Sequence, residues 1–488
     1  MLQKKIISIA GLALVEKAIK LFFLLFLSRL LEPWEFGVVA AASVVVYFAD
    51  MFANLGFAAC LIQLEKISKE TVRVALTLTM AVVSLISVCF YWTLPQVSVW
   101  VGVPELQSMG GALIVILIAR GFSSVSGALL QRDMKASLLM RSSIVSYLVG
   151  MLLVAGPMIY SGYGFWSLIY GMVVESLVHT VICYCAARHS IIPLLRKSEI
   201  EKLLGKGFGF FITRTINYLA LNVDYVIVSK YLGAHFLGLY SRAYRVMEYP
   251  SYVYMVAADR VLFPAMAKKQ TDQNYLQKTM LKGIFWTFAL AAPLSGILAA
   301  NGENIIRLLL GPTWLEAASV LSILCAFGSY RISYMILNTY VRSVGKVSIS
   351  SQHSLFLLFA VTVCCYFGVE YGLNGVAWGA GVALLVHGCL YSVRVAIMLN
   401  LPWYRFLRIF IIGIPATLAF YLPNYYLLDF LEFHFFLELL VSGILSMVIA
   451  VILVELNLLC SPESKFRHFH EFVLQFSESF RLGQKAAK

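Results

Sequence analysis

Charge is what this sequence has least of. Only 13% of its 488 residues are Asp, Glu, Lys or Arg, against 60% hydrophobic ones, too little polar material to cover one or two water-soluble domains. The motifs of nucleotide hydrolysis and of the commoner hydrolases are missing: no GxxxxGK[ST], HExxH or GxSxG occurs, so no phosphate loop, zinc protease site or nucleophile elbow can be placed. A cleavable export signal is lacking as well. MLQKKIISIAGLALV sets basic residues before an apolar run, but Glu16 and Lys17 interrupt it and apolar residues resume to Leu31, so an uncleaved first helix is expected. The nine cysteines provide no metal centre. In HTVICYCAARH, His179 and Cys183 share one helical face while Cys185 and His189 share another, so four ligands cannot converge and ordinary packing is expected.

What the chain does have is long apolar runs. Fourteen stretches reach the roughly 18 apolar residues that mark a membrane span, centred near residues 20, 48, 84, 118, 149, 175, 219, 250, 290, 325, 358, 385, 414 and 446. Hydrocarbon offers no partner to backbone N–H and C=O groups, so each must be helical. The expectation is an all-α integral membrane protein of about 14 transmembrane helices. Of the Lys and Arg residues, 28 fall in alternate connections and the tail, and only Arg29, Lys230 and Arg307 fall in the others. That split places both termini in the cytoplasm and accounts for the net charge of +13 without nucleic acid.

An internal repeat organises the spans. YGFWSLIYGMVVESLVH (163–179) and YGLNGVAWGAGVALLVH (371–387) agree at seven of seventeen positions without a gap, at an offset of 208. SRLLEPWEFG (28–37) overlays SKYLGAHFLG (229–238) as S-[RK]-x-L-x5-G at offset 201, and Arg120 with Lys135 matches Arg331 with Lys346 at offset 211. Spans 1–6 therefore read as duplicated in spans 7–12, and because six is even the copies are related by an axis along the membrane normal. The expected organisation is a first lobe at 1–187, a basic cytoplasmic linker at 188–206, a second lobe at 207–400, two added spans at 401–459 and a tail at 460–488. Phe466, Phe469, Val473, Phe476 and Phe480 of the tail recur at helical spacing, which suits a helix on the inner membrane face or one packed on the lobes.

Two six-span copies plus two, the S-[RK]-x-L-x5-G motif after the first helix of each copy, and YG opening a Gly-rich span 6 and span 12 resemble the MOP flippase superfamily, and within it the Wzx-type polysaccharide exporters. The resemblance covers roughly residues 1 to 460. It implies export of an undecaprenyl-diphosphate-linked oligosaccharide repeat unit across a bacterial inner membrane for cell-surface polysaccharide synthesis. Spans 1, 2, 7 and 8 would line the cavity. Implied partners are that lipid-linked oligosaccharide, membrane lipids, and the polymerase and other assembly proteins of such a pathway; the chain would be a transporter and not an enzyme.

Seven cations remain inside the spans: Lys17, Lys20, Arg120, Arg214, Arg242, Arg245 and Arg331. Each costs roughly 2.5–3.5 kcal/mol on insertion scales, so such residues persist facing water or a partner. Lys17, Lys20, Arg214, Arg242 and Arg245 are candidates for holding a diphosphate, which Arg grips bidentately, with Tyr244 among the tyrosines that could stack on sugar. The plainer alternative is internal pairing, Glu16 with Lys20 and Arg245 with Glu248. Arg120 and Arg331, at matching places outside the cavity spans, read as structural, and Glu175 with His179 as an i,i+4 packing pair. No cofactor is expected. Without a nucleotide site, H+ or Na+ coupling is the default, with Glu16, Asp50, Asp224 and Glu248 as candidates. Two other functions stay open: a cation-coupled multidrug exporter, which would want an acidic cavity, and a membrane-embedded glycan polymerase or ligase, which would want a large outer loop.

Overall fold

The computed structural model describes residues 2–54 and 57–404, with 407, 410, 417–422, 425 and 426 beyond them. The expected spans 13 and 14 and the amphipathic tail lie outside the described residues, apart from those few positions. Sixteen α-helices follow in order among the described residues: α1 (Leu2–Ser28), α2 (Pro33–Asn54), α3 (Phe57–Gln63), α4 (Lys69–Val101), α5 (Gly110–Arg132), α6 (Ala136–Leu148), α7 (Gly156–Tyr160), α8 (Phe165–Ala187), α9 (Lys197–Leu232), α10 (Ala234–Lys268), α11 (Gln273–Ala300), α12 (Gly302–Leu309), α13 (Ala317–Ala326), α14 (Gly328–Ser343), α15 (Val347–Gly368) and α16 (Gly372–Met398). No strand occurs among them. A π-helical stretch, Val149–Ala155, joins α6 to α7 into one long segment.

Seven helical stretches are long and apolar enough to cross a membrane, one of them running through α15 and α16, and the pair α13 and α14, bent by 47°, makes an eighth. α1, α9 and α10 are not among them. They are the helices that carry Glu16, Lys17 and Lys20, Asp224, and Arg242, Arg245 and Glu248 inside their apolar runs, which marks them as facing something other than lipid.

Packing follows the order of the elements. α1 lies on α6 and α9 on α15; α2 lies on α4 and α5, and α10 on α13 and α14. α8 packs on α5 and on the α6–α7 segment, as α16 packs on α13, α14 and α15. Glycines allow the tightest of these approaches, as small residues do between membrane helices. Gly171 of α8 sits with its Cα face on the Gly150 carbonyl, and Gly379 of α16, 208 residues later, sits on that of Cys364.

The two sets of helices meet where α2 crosses α10. A Cβ on Gly37 would overlap the Ala234 carbonyl, and one on Gly238 would overlap the Pro33 carbonyl, each also reaching the other glycine's backbone nitrogen at 3.0–3.1 Å. These are the closing glycines of the two S-[RK]-x-L-x5-G motifs. Their opening serines are used reciprocally as well: the Ser28 carbonyl accepts from Trp314 Nε1 at 2.7 Å, and Ser229 Oγ donates to the Val101 carbonyl at 2.8 Å. Gly102, left-handed at φ 77°, ends α4 and lets the Ser229 backbone pass close by. All of these contacts lie at the end that the charge split assigns to the outside. One apolar core runs through the crossing, from Leu27 and Phe36 to Tyr240, Trp314 and Leu324.

At the other end the segment before and into α9 is docked on the first set. Thr71 Oγ1 and Lys202 Nζ donate to Glu199 at 2.8 and 2.6 Å, Arg73 Nε donates to the Ile192 carbonyl at 3.0 Å, and Arg196 pairs with Glu70. The Lys202 ammonium and the Thr71 hydroxyl hold the Glu199 carboxyl below its ordinary range.

Candidate functional site

α10 positions the centre of the site. Its sequence from Ala234 to Lys268 is regular except at Pro250 and Pro264, and Pro250 removes one helical hydrogen bond two residues beyond Glu248. Arg242, Arg245 and Glu248 lie three residues apart, so they climb one side of the helix. Arg242 is the innermost of the three: its guanidinium lies 4.4 Å over the ring of Phe36 from α2, beneath the glycine crossing, and its Nε has no partner among the described residues. Arg245 reaches Glu248 at 3.4 Å and keeps half of its side chain exposed.

Glu248 is shared. Its other oxygen accepts from Arg331 of α14 at 3.2 Å, and Arg331, with a side chain 7% exposed, also donates to the Tyr244 hydroxyl while stacking 4.9 Å over that ring. Tyr244 is thereby buried beneath Arg331 and against Tyr225 at 5.6 Å. Its role here is to hold a cation of the protein. Asp224 of α9 is buried too, accepting from Tyr240 at 2.9 Å and from the Tyr225 N–H.

α1 supplies the facing side. Lys20 bonds Glu16 at 2.8 Å, Ser143 of α6 donates to the same carboxylate at 2.7 Å, and Lys20 lies 5.3 Å over Tyr147. Lys17 stacks 4.6 Å over Tyr252 of α10 and lies in the field of Glu248 and Arg245. So Lys17, Lys20, Arg242, Arg245 and Arg331 share this region with Glu16, Glu248, Asp224 in the field of Arg331 and Glu175 in the field of Lys20, five cations to four carboxylates. Lys20, Arg245 and Glu248 keep 32%, 50% and 35% of their side chains exposed. Arg214 is on α9, and its side chain lies outside those described.

The expected internal pairs Glu16–Lys20 and Arg245–Glu248 are present, but each is one link of a larger chain. Arg120 packs 4.3 Å over Tyr47 and feels Asp50 and Glu175, so both repeat-related arginines tie a peripheral helix to a crossing helix within one set. The i,i+4 pair of Glu175 and His179 does not form among the described contacts: His179 turns to Ser142 at 3.3 Å and Cys183 at 3.6 Å, and Glu175 lies in the field of Lys20 and Arg120. Ser142 from α6 and Cys183 one turn further along α8 take the place of the carboxylate. Sequence reasoning also passed over Ser143, Phe36 and Tyr47 as partners of the charges, none of which carries a motif. No group of three or more metal-ligating side chains occurs among the described residues.

Two comparisons of sequence and one of structure bear on this arrangement. Residues 26–319 match the family described as "Polysaccharide biosynthesis protein". The chain is 24% identical to the lipopolysaccharide biosynthesis protein WzxC of Escherichia coli (strain K12), over 90% of this chain and 86% of that one. It is 25% identical to the succinoglycan biosynthesis transport protein ExoT of Rhizobium meliloti (strain 1021), over 70% and 69%. Its fold is similar to that of the lipid II flippase MurJ in an inward closed conformation, with a TM-score of 0.75, 16% identity and coverage of 93% of this chain and all of that one. The fold is thus the expected all-helical membrane architecture, similar to that of the flippase MurJ.

Proposed function

This chain belongs to the polysaccharide biosynthesis protein family, and from that premise we propose that it carries a lipid-linked oligosaccharide, an undecaprenyl-diphosphate-linked repeat unit, from the inner to the outer leaflet of a bacterial inner membrane. The observation that carries this reading is the surplus of cations between α1 and α10. Arg245 keeps half its side chain exposed although a carboxylate is within reach, which leaves a planar donor fork for a second anion, and a diphosphate matches that fork. Lys17 and Lys20 face it from α1 as point charges.

Two lobes, 1–187 and 207–400, rocking about the Gly37–Gly238 crossing would expose this region to one leaflet and then the other. The reciprocal contacts of Ser28, Gly37, Ser229 and Gly238 support that division. So does the matching order of helices. With both termini cytoplasmic, the outer end is the closed one here, and H+ or Na+ would drive the exchange in the absence of a nucleotide site. A multidrug exporter of soft cations fits less well, because the exposed charges between the lobes are mainly positive.

The test is export in a strain lacking the native gene. Arg245→Ala should insert at normal abundance and cut surface polysaccharide by about tenfold or more, the worth of a charge-assisted hydrogen bond, while Arg245→Lys restores part of it. Unchanged polysaccharide with the alanine variant would remove the arginine from substrate binding.

A further inference from the structure

Between α14, α15 and α16 stand two histidines that neither the cationic region nor the lobe crossing uses. His387 has no exposed surface. No side chain bonds either ring nitrogen of His387 or Nδ1 of His353 among the described residues, and the hydrogen bond acting on the His387 ring comes from the His353 backbone. The two rings are 5.8 Å apart, with Tyr334 at 4.8 Å from His387 and Tyr391 at 4.1 Å from His353. Buried side-chain nitrogens are nearly always bonded in native interiors, and apolar side chains would occupy this space without the penalty. Packing alone does not explain two imidazoles here.

The first half of the chain supplies the comparison. At the repeat offsets of 208 and 211, His387 corresponds to His179 and His353 to Ser142. There the single ring is satisfied: Ser142 Oγ lies 3.3 Å from Nδ1 and Cys183 Sγ 3.6 Å from Nε2. The second half sets an imidazole where the first sets a hydroxyl. Two facing imidazoles present two bases to one proton, where a hydroxyl and an imidazole present one.

We propose that the His353–His387 pair is a proton-binding site that couples translocation to a proton gradient. This deepens the flippase reading and rests on it. In the binding step a hydronium ion gives its proton to the lone pair of one imidazole nitrogen and leaves as water; an N–H bond forms, an O–H bond breaks, and release reverses both. Asn338 Oδ1 of α14 already gathers Ser350 Oγ at 2.7 Å and the Tyr391 hydroxyl at 3.5 Å.

The charged and titratable groups that face the pair are Tyr334 from α14, with Arg331 and Arg342 acting on it, and Tyr391 and Arg394 from α16, Arg394 acting on His353. No carboxylate acts on either ring among the described residues, so a bound proton has no fixed counter-charge there and is held only loosely. α15 transmits the change. It packs along α9, Ser354 reaches Asn217 of α9 at 3.5 Å, and the far end of α9 holds Ser229 on Val101 across the lobe contact. The expected carboxylates are occupied in comparison: Glu16 by Lys20 and Ser143, Asp224 by Tyr240, and Glu248 by two arginines, while Asp50 lies in the field of Arg120.

The experiment uses the full chain in proteoliposomes with a fluorescent polyprenyl-diphosphate-linked glycan, an external quencher and an entrapped pH dye. An imposed pH gradient should drive net movement of the lipid with accompanying proton flux. His353→Ser, which copies the hydroxyl of the first half, and His387→Gln should each reduce gradient-driven movement and proton flux by about tenfold, within the usual range of coupling, while leaving equilibration of the lipid without a gradient intact. His353→Ser is the variant least exposed to misfolding, because Ser142 already occupies the equivalent place. Variants that keep full gradient-driven movement, or a wild type driven by sodium and indifferent to pH, would overturn the histidine site and leave the flippase standing. A wild type that moves no lipid-linked glycan would overturn both.

Discussion

At the crossing, α2 and α10 present the same face to each other, Gly37 on the Ala234 carbonyl and Gly238 on that of Pro33. Ten residues further along, the same two helices part company. Position 47 of α2 is Tyr47, whose ring carries Arg120 at 4.3 Å; its repeat partner 201 residues on is Glu248, whose carboxylate takes both Arg331 and Arg245. Closing two lobes on each other demands a surface complementary to its own copy, so symmetry persists there. Binding an anion demands only that charge be somewhere on the wall, and there the copies have diverged. The imidazole pair of the second half against the hydroxyl–imidazole pair of the first is the same lesson in another layer.

The largest effect should come from the symmetric part. Gly37→Ala and Gly238→Ala each place a Cβ into an opposing carbonyl, so either should hold the outer ends apart and reduce export to background. Labelling from outside of a cysteine placed at Ser43 should rise in both variants. If only one glycine mattered, the crossing would not be the shared device described here.

Next come the two repeat-related arginines. Arg331→Ala strips a buried partner from Glu248 and Tyr244 and should destabilise the protein by about 3 kcal/mol, the lower end for breaking a buried pair, since Glu248 keeps Arg245. Arg120→Ala loses the contact with the Tyr47 ring and the field on Asp50 and Glu175, with no direct ion pair at stake, and should cost less, about 1–2 kcal/mol. Thermal unfolding in detergent checks the order. The shared carboxylate also changes how the local pair is tested: neutralising Arg245 and Glu248 together leaves Arg331 without its carboxylate, so Arg245 has to be varied alone.

The smallest effect concerns pH at the end that the charge split assigns to the cytoplasm. The Glu199 carboxyl is held below its ordinary range by Lys202 and Thr71, so its contribution is present above about pH 4.3, the unfolded carboxylate value, and is lost as the pH falls through the folded value. Protection of residues 190–203 against hydrogen exchange, taken relative to the intrinsic rate at each pH, should therefore fall on acidification, and Glu199→Gln should show the lower protection already at pH 7.

Much of this organisation was legible in the sequence. Apolar run lengths anticipate the helices because hydrocarbon leaves the backbone no alternative, and the repeated S-[RK]-x-L-x5-G and YG segments anticipate paired elements. What the repeat could not disclose is that its two glycines touch each other, since a motif states which residues recur and not which copy they face. The pairing of the charges was half visible. Glu16–Lys20 and Arg245–Glu248 lie within one helix and follow from i,i+3 and i,i+4 spacing, whereas the partner that buries Tyr244 comes from Arg331, 87 residues away. The local rule misled at His179, where packing against α6 outweighed the carboxylate one turn earlier. His387 was visible as the end of the repeat, yet its lack of a side-chain partner depends on His353 from another helix.

The central claim is that the cations between α1 and α10 hold a diphosphate, and binding tests it most directly. Purified wild-type protein should bind a short-chain polyprenyl-diphosphate sugar more tightly than the corresponding monophosphate, and Arg245→Ala should weaken the diphosphate by roughly ten- to a hundredfold while leaving the monophosphate little changed. Equal affinity of wild type and Arg245→Ala for the diphosphate would contradict it.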